Sequence, residues 1–275
     1  MDAVPGVALH PVELDLLCTF AQVQPPFPLE APSTGTSDVE RQVLFGAAAQ
    51  ELRDRELADE DGPLDVAEEF VYLLRNCTGV LDLVLNRESG PLAAAVLTLR
   101  DEALLVTQDS TDPHGMTWLW AATLDEAVAR LASFIPRAET PVTTPFSLPL
   151  RPLQAAFDVM MSRMPENGAG PVPMSQREIE ELLNAHGIDD RVARRMVSSL
   201  QPVVGNGQLG VAVRDESEDQ WRRGGRELRW LDTDRGRYRL ANVDGDGDGD
   251  AWMSVNPLGN EELYGELRSL AVRIR

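Results

Sequence analysis

Gly205-Asn206-Gly207-Gln208-Leu209-Gly210 carries the G-x-G-x-x-G spacing of a dinucleotide-binding loop. In such loops the glycines let the backbone approach a pyrophosphate held at a helix N-terminus, so the motif must follow a strand and open a helix. Here it follows a helical stretch and Pro202 and runs into the strand-like Val211-Ala212-Val213. The context is reversed, and the motif reads as a turn entering a strand. Asp244-Gly245-Asp246-Gly247-Asp248-Gly249-Asp250 has the opening of a calcium loop, with glycine at the sixth position. Its twelfth position is Val255 where a bidentate glutamate is needed, and strands rather than helices flank it. It reads as a hairpin loop, with a loose cation site as the alternative.

Seven arginines fall between Arg222 and Arg239: Arg222, Arg223, Arg226, Arg229, Arg235, Arg237 and Arg239. Interleaved with Trp221, Trp230 and Tyr238, they could track a nucleic-acid backbone. The alternation of Arg235, Arg237 and Arg239 equally fits the solvated face of one strand, and a protein contact is the third reading. His10, His114 and His186 have no second metal ligand at close helical spacing. Asp112-Pro113-His114-Gly115 reads as a turn, and His186-Gly187 as a helix C-terminus, where a cation suits the dipole. No G-x-S-x-G elbow is present. No catalytic constellation, metal-ligand set or cofactor site emerges.

Composition removes whole classes of chemistry. All 25 basic residues are arginine. A chain without lysine is neither a P-loop NTPase nor a Schiff-base enzyme, and it lacks the lysine that pairs ATP phosphates in protein kinases. The net charge of −20 is uneven, with 23 acids and 7 arginines in residues 1–135 against 22 and 18 in residues 136–275. That sign opposes nonspecific attachment to nucleic acid or anionic membrane. No signal peptide is legible after Met1-Asp2-Ala3-Val4-Pro5, and no run approaches the roughly 20 apolar residues that span a bilayer. Cys18 and Cys77 read as buried reduced thiols, and the expected location is the cytosol.

The periodicity supplies the elements that must position these residues. Ser37 or Asp38 caps a helix over about 39–57, and a second follows over 64–75. Apolar runs at 80–85, 92–99, 103–107 and 116–120, joined by connections too short for parallel crossovers, form an antiparallel meander. A helix over 124–134 closes the first half. The second half repeats the order, with a helix near 153–164 and a loop over 165–173. A helix capped by Ser175 and Glu178 and one started by Asp189 come next. Strands at 208–214, 227–233, 236–242 and 251–255 and a helix over 260–270 complete it. The expected fold is α+β, a pseudo-two-fold duplicated helix–helix–sheet–helix unit with a central antiparallel sheet between two helical subdomains. Residues 1–275 form a single domain of two half-repeats, 1–135 and 136–275.

The second-half landmarks carry a resemblance. Gly207-Gln208-Leu209-Gly210-Val211-Ala212-Val213-Arg214-Asp215 precedes an arginine-bearing loop and Trp230-Leu231-Asp232-Thr233-Asp234-Arg235-Gly236-Arg237-Tyr238. With Trp252-Met253-Ser254-Val255-Asn256-Pro257 and the closing Glu262-Leu263-Tyr264-Gly265-Glu266-Leu267-Arg268, these resemble the EspG family associated with type VII secretion in actinobacteria. In the first half, a proline-led loop, an Ala- and Leu-rich helix and Leu81-Asp82-Leu83 are also similar. The resemblance implies a cytosolic chaperone that binds helical secretion substrates, the PE–PPE type of heterodimer. It would hold the apolar tip of the PPE-like subunit and keep the pair soluble until export. It also implies that the substrate surface lies on the sheet together with the C-terminal helical subdomain. On that reading Val211 and Val213, or Leu209 and Ala212 if the other face is used, give apolar contact, and Arg226 and Arg229 give rim charge. A homodimer stays open. The rivals are a nucleotide-dependent enzyme using Gly205–Gly210 and a nucleic-acid module using Arg222–Arg239.

Overall fold

The computed structural model describes residues 6–162, 174–215, 220–243 and 251–275. The chain divides into two compact units, Met1–Arg137 with Gly207–Leu228 and Glu261–Arg275, and Ala138–Asn206 with Arg229–Asn260.

The first unit begins with β1 (Val7–Leu9) and α1 (Pro11–Ala21). His10 caps α1: its Nδ1 accepts from Val12 N at 3.3 Å, and Glu13 accepts from His10 N at 2.7 Å. Glu13 and Asp15 lie buried on α1, and each has an arginine. Arg55 donates to both oxygens of Glu13 at 3.0 Å, and Arg41 donates to Asp15 at 2.7 Å. Paired in this way, two carboxylates sit inside an otherwise apolar helix face at tolerable cost.

Next come α2 (Asp38–Asp54), capped by Ser37 Oγ accepting from Glu40 N, and α3 (Asp65–Asn76). β2 (Gly79–Arg87), β3 (Gly90–Leu99), β4 (Glu102–Asp109) and β5 (Thr117–Thr123) form an antiparallel meander in the registers Leu81↔Val96, Val96↔Leu105 and Val106↔Leu119. β1 adds to β5, Val7 opposite Leu119.

Alternate residues divide between the two faces of this sheet. Val80, Ala95, Leu97, Leu104, Val106 and Leu119 join Leu14 and Leu17 of α1 and Phe70, Leu73 and Leu74 of α3 in one buried cluster. Their neighbours Val96 and Leu105 turn to the other side, where α4 (Leu124–Ser133) packs, closed at its start by a Thr123–Glu126 capping box. Arg130 of α4 lies 4.3 Å over the Trp120 ring. Burial of each large side chain here contributes roughly 1.5–3 kcal/mol.

The second unit opens with β6 (Phe146–Pro149) and α5 (Leu150–Met161). α6 (Gln176–Ala185) has the Ser175–Glu178 capping box, and α7 (Asp190–Leu200) starts at Asp189. The chain then runs through β7 (Val203–Asp215) and β8 (Gln220–Arg223), both lying in the first unit from Gly207 on. There β7 neighbours β2, with Arg214 N donating to Thr78 O, and β8 pairs β7 with Arg223 opposite Ala212. β9 (Leu228–Thr233), β10 (Gly236–Val243) and β11 (Trp252–Pro257) form an antiparallel set that ends on β6, Leu148 opposite Met253. Leu148, Leu183, Ala193, Val197, Tyr238 and Val255 make the core of this unit. The last helix is α8 (Asn260–Val272).

The α+β expectation holds. β1–α1 and β6–α5 are each a short strand followed by a helix, and β1 pairs antiparallel with β5 as β6 does with β11. No helix of the described residues is long and apolar enough to cross a membrane.

Candidate functional site

The residues expected to meet a partner are placed unequally. Leu209, Val211 and Val213 are spaced by two along β7 and share one face, so Leu209 is no alternative to Val211 on the opposite side. Leu209 is 0% exposed and Val211 2%, which makes them core rather than contact surface. Their side chains are therefore covered within this chain. Val213 is half-buried, and Arg226 and Arg229 are exposed, Arg226 just beyond β8 and Arg229 on β9.

Gly205–Gly210 lies wholly inside β7, not in a turn leading to it, and no helix follows. A pyrophosphate therefore has no helix N-terminus to meet. The third glycine answers to a different need. Asp82 on β2 is 1% exposed and accepts from Arg223 of β8 through Oδ2. A methyl group on Gly210 would sit 2.7 Å from Arg223 Nη1 and 2.8 Å from Asp82 Oδ1. The glycine makes room for an ion pair. Burial pushes the Asp82 carboxyl above its usual range, more than the Arg223 charge and hydrogen bond pull it down.

The arginine cluster also departs from a solvated strand face. Arg237 of β10 is 0% exposed. It donates to both oxygens of Asp232 at 2.6 and 3.0 Å, and its guanidinium carbon lies 5.5 Å from the centre of the Trp230 ring. Arg235 sits in the β9–β10 turn and Arg239 is half-buried, so the three do not form one wet row. His10 is a helix cap, His114 lies in the Asp112–Gly115 turn, and His186 caps the end of α6. Among the described residues no group of His, Cys, Asp and Glu could hold a metal ion. The Asp244–Asp250 segment lies outside the described residues.

Periodicity missed accessible apolar residues. In the second unit Val192 of α7, Val203 and Val204 at the start of β7 and Trp252 of β11 are 45%, 42%, 50% and 43% exposed. Their only sequence signal is apolar type at an element's edge, which does not distinguish a strand end that is covered from one that is open.

This arrangement of strands and helices is similar to that of a solved structure described as the Mycobacterium tuberculosis type VII secretion system chaperone EspG5 in complex with a PE25-PPE41 dimer. The TM-score is 0.61 at 10% identity, over 97% of this chain and 95% of that one. At that identity the likeness defines the fold. The model of the EspG family matches residues 10–269, and the chain belongs to the EspG family. No curated protein matches the chain.

Proposed function

We propose that this protein is a substrate-specific chaperone of a type VII secretion system, binding a PE–PPE-like heterodimer through its PPE-like subunit. The observation that carries the reading is membership of the EspG family over residues 10–269, supported by the fold shared with EspG5, which was solved with PE25-PPE41. A helical client with an apolar tip aggregates through that tip unless it is covered. Holding such a tip needs a complementary apolar patch with a polar rim and no chemical step, so the complex forms without nucleotide.

Val203, Val204 and Trp252 of the second unit are proposed as apolar contacts. Arg226 and Arg229 are each proposed separately as charged contacts, and Val213, opposite Arg222 of β8, as a half-buried contact in the first unit. Leu209 and Val211 would act only by supporting β7 from within.

The test is co-expression with a PE–PPE-like pair, followed by affinity capture and client solubility, with nucleotide removed. Capture and a soluble client are expected. Trp252→Glu and the pair Val203→Glu/Val204→Glu should lower capture, and Arg226→Glu or Arg229→Glu should lower it less. A client that is insoluble with and without this protein would overturn the chaperone reading. Undiminished capture by every variant at matched thermal stability would remove these residues from the contact.

A further inference from the structure

We propose that a cleft in the first unit, between the Gln24–Phe27 segment, the end of α3 and β8, is a binding pocket for a neutral aromatic ring bearing an N–H or O–H donor. The cleft has a volume of about 340 Å³ and is lined by Phe27, Leu74, Cys77, Asp82, Ala212 and Trp221, with Arg222 and Arg223 beside them. Its chemistry comes from three observations.

The first is Asp82. Its side chain is 1% exposed, and Oδ2 is engaged by Arg223, whereas Oδ1 is buried with no hydrogen-bond partner among the described residues. A buried carboxylate oxygen without a donor is a costly arrangement, so this oxygen selects for a group that brings an N–H or O–H.

The second is the wall. Phe27 is 54% exposed and Trp221 41%, two large aromatic surfaces bordering one cleft. Arg223 already lies 5.2 Å from the centre of the Phe27 ring. Leu74 and Ala212 extend the apolar lining. Such walls favour a flat apolar body that stacks or meets a ring edge to face.

The third is charge. Arg222 and Arg223 disfavour a cation, and the Asp82 carboxylate disfavours an anion reaching the floor. A neutral ring with a donor meets all three conditions; indole and phenol are the smallest examples. The same chemistry is available from a free small molecule or from a Trp or Tyr side chain of a protein segment.

Ligand-observed NMR on the full chain tests this with indole, 1-methylindole and an N-acetylated, C-amidated Gly-Trp-Gly peptide. Indole should bind, and 1-methylindole, which lacks the donor, should bind more weakly by roughly tenfold or more. Trp221→Ala, at an exposed position, should weaken indole by a similar factor while leaving the unfolding midpoint near that of the parent protein. A peptide that binds tighter than indole assigns the pocket to a protein segment, and one that binds no tighter assigns it to a free ligand. Equal affinity for indole and 1-methylindole, unchanged binding by the Trp221 variant, or no binding of either probe would overturn the proposal. The outcome is independent of client capture, so the two readings fail separately.

Discussion

Gly210 of β7 faces the buried carboxylate of Asp82 so closely that a single methyl group would come within 2.8 Å of Asp82 Oδ1 and 2.7 Å of Arg223 Nη1. The last glycine of a G-x-G-x-x-G motif is therefore explained by packing around an ion pair. Gly210→Ala should destabilise the protein by about 1–3 kcal/mol, the usual cost of overpacking. Gly46, exposed in α2 and with nothing within 4 Å of where a methyl group would sit, is the matched control. Gly46→Ala should stabilise by roughly 0.5–1 kcal/mol through helix propensity. Urea midpoints check both, and a Gly210→Ala midpoint equal to that of the parent would refute the packing account.

Two carboxylates should tilt stability against pH in opposite directions. At Asp15, burial pushes the carboxyl up, but hydrogen bonds from the Thr34 hydroxyl and amide and from Arg41 outweigh it and hold it below the usual range. Its contribution is present above the unfolded carboxylate pKa of about 3.9 and is lost as pH falls through the lower folded value. At Asp82, burial dominates, Arg223 offsets it in part and Glu227 adds to it, so the folded value is raised. That contribution is complete below the unfolded value and is lost as pH rises through the folded one. Asp82→Asn removes this second slope. Urea midpoints measured upward from about pH 4 should fall less steeply in the variant than in the parent, and parallel curves would contradict the assignment.

The sheet meander, α2 to α4 and α6 to α8 were legible because apolar spacing and caps agree there. Ser37, Thr123 and Ser175 stand at helix starts, and Glu126 and Glu178 complete their boxes. α1 was not legible, although Pro11 and Glu13 are start signals. Its cap is a histidine, outside the usual Ser/Thr/Asp/Asn set, and its buried face carries Glu13 and Asp15. The partners that make those charges tolerable, Arg55 and Arg41, lie 42 and 26 residues away. β6 and β8, four residues each, are too short for periodicity to register. Burial was not legible for a similar reason: Leu209 and Val211 are apolar on a strand, as a contact would be, and only the packed fold shows that these two side chains are covered. Arg237 looked wet beside Arg235 and Arg239 because its Asp232 partner sits on the neighbouring strand.

The two thiols should be inert in the folded state. Burial pushes Cys18 up to about 12, with the nearby Asp15 charge adding to it, and burial pushes Cys77 up to about 11. Both side chains are 1% exposed, and the thiolate is the reactive species. A disulfide-exchange reagent at neutral pH should give negligible labelling of the native protein and two equivalents in guanidinium. Labelling that completes quickly without denaturant would show that one of these sites opens far more readily than its packing indicates.

Arg237 and Asp232 supply the sharpest test of what a buried charge contributes in the second unit. Arg237 is held by backbone on both sides, its N–H donating to Glu139 O at 2.9 Å and its carbonyl accepting from Leu258 N at 2.9 Å. The guanidinium is then fixed by the bidentate Asp232 carboxylate. Removing one partner strands the other charge, so Asp232→Ala should cost about 3–5 kcal/mol. Arg237→Met fills much of the same volume and leaves Asp232, 14% exposed at its side chain, with a path to water. Its cost should be the smaller of the two. The double variant, Asp232→Ala with Arg237→Met, should recover part of the loss seen with Asp232→Ala alone, because neither charge is left stranded. Denaturant titration of the parent and the three variants closes the cycle. Additive losses would mean that the pair is incidental to the stability of this unit.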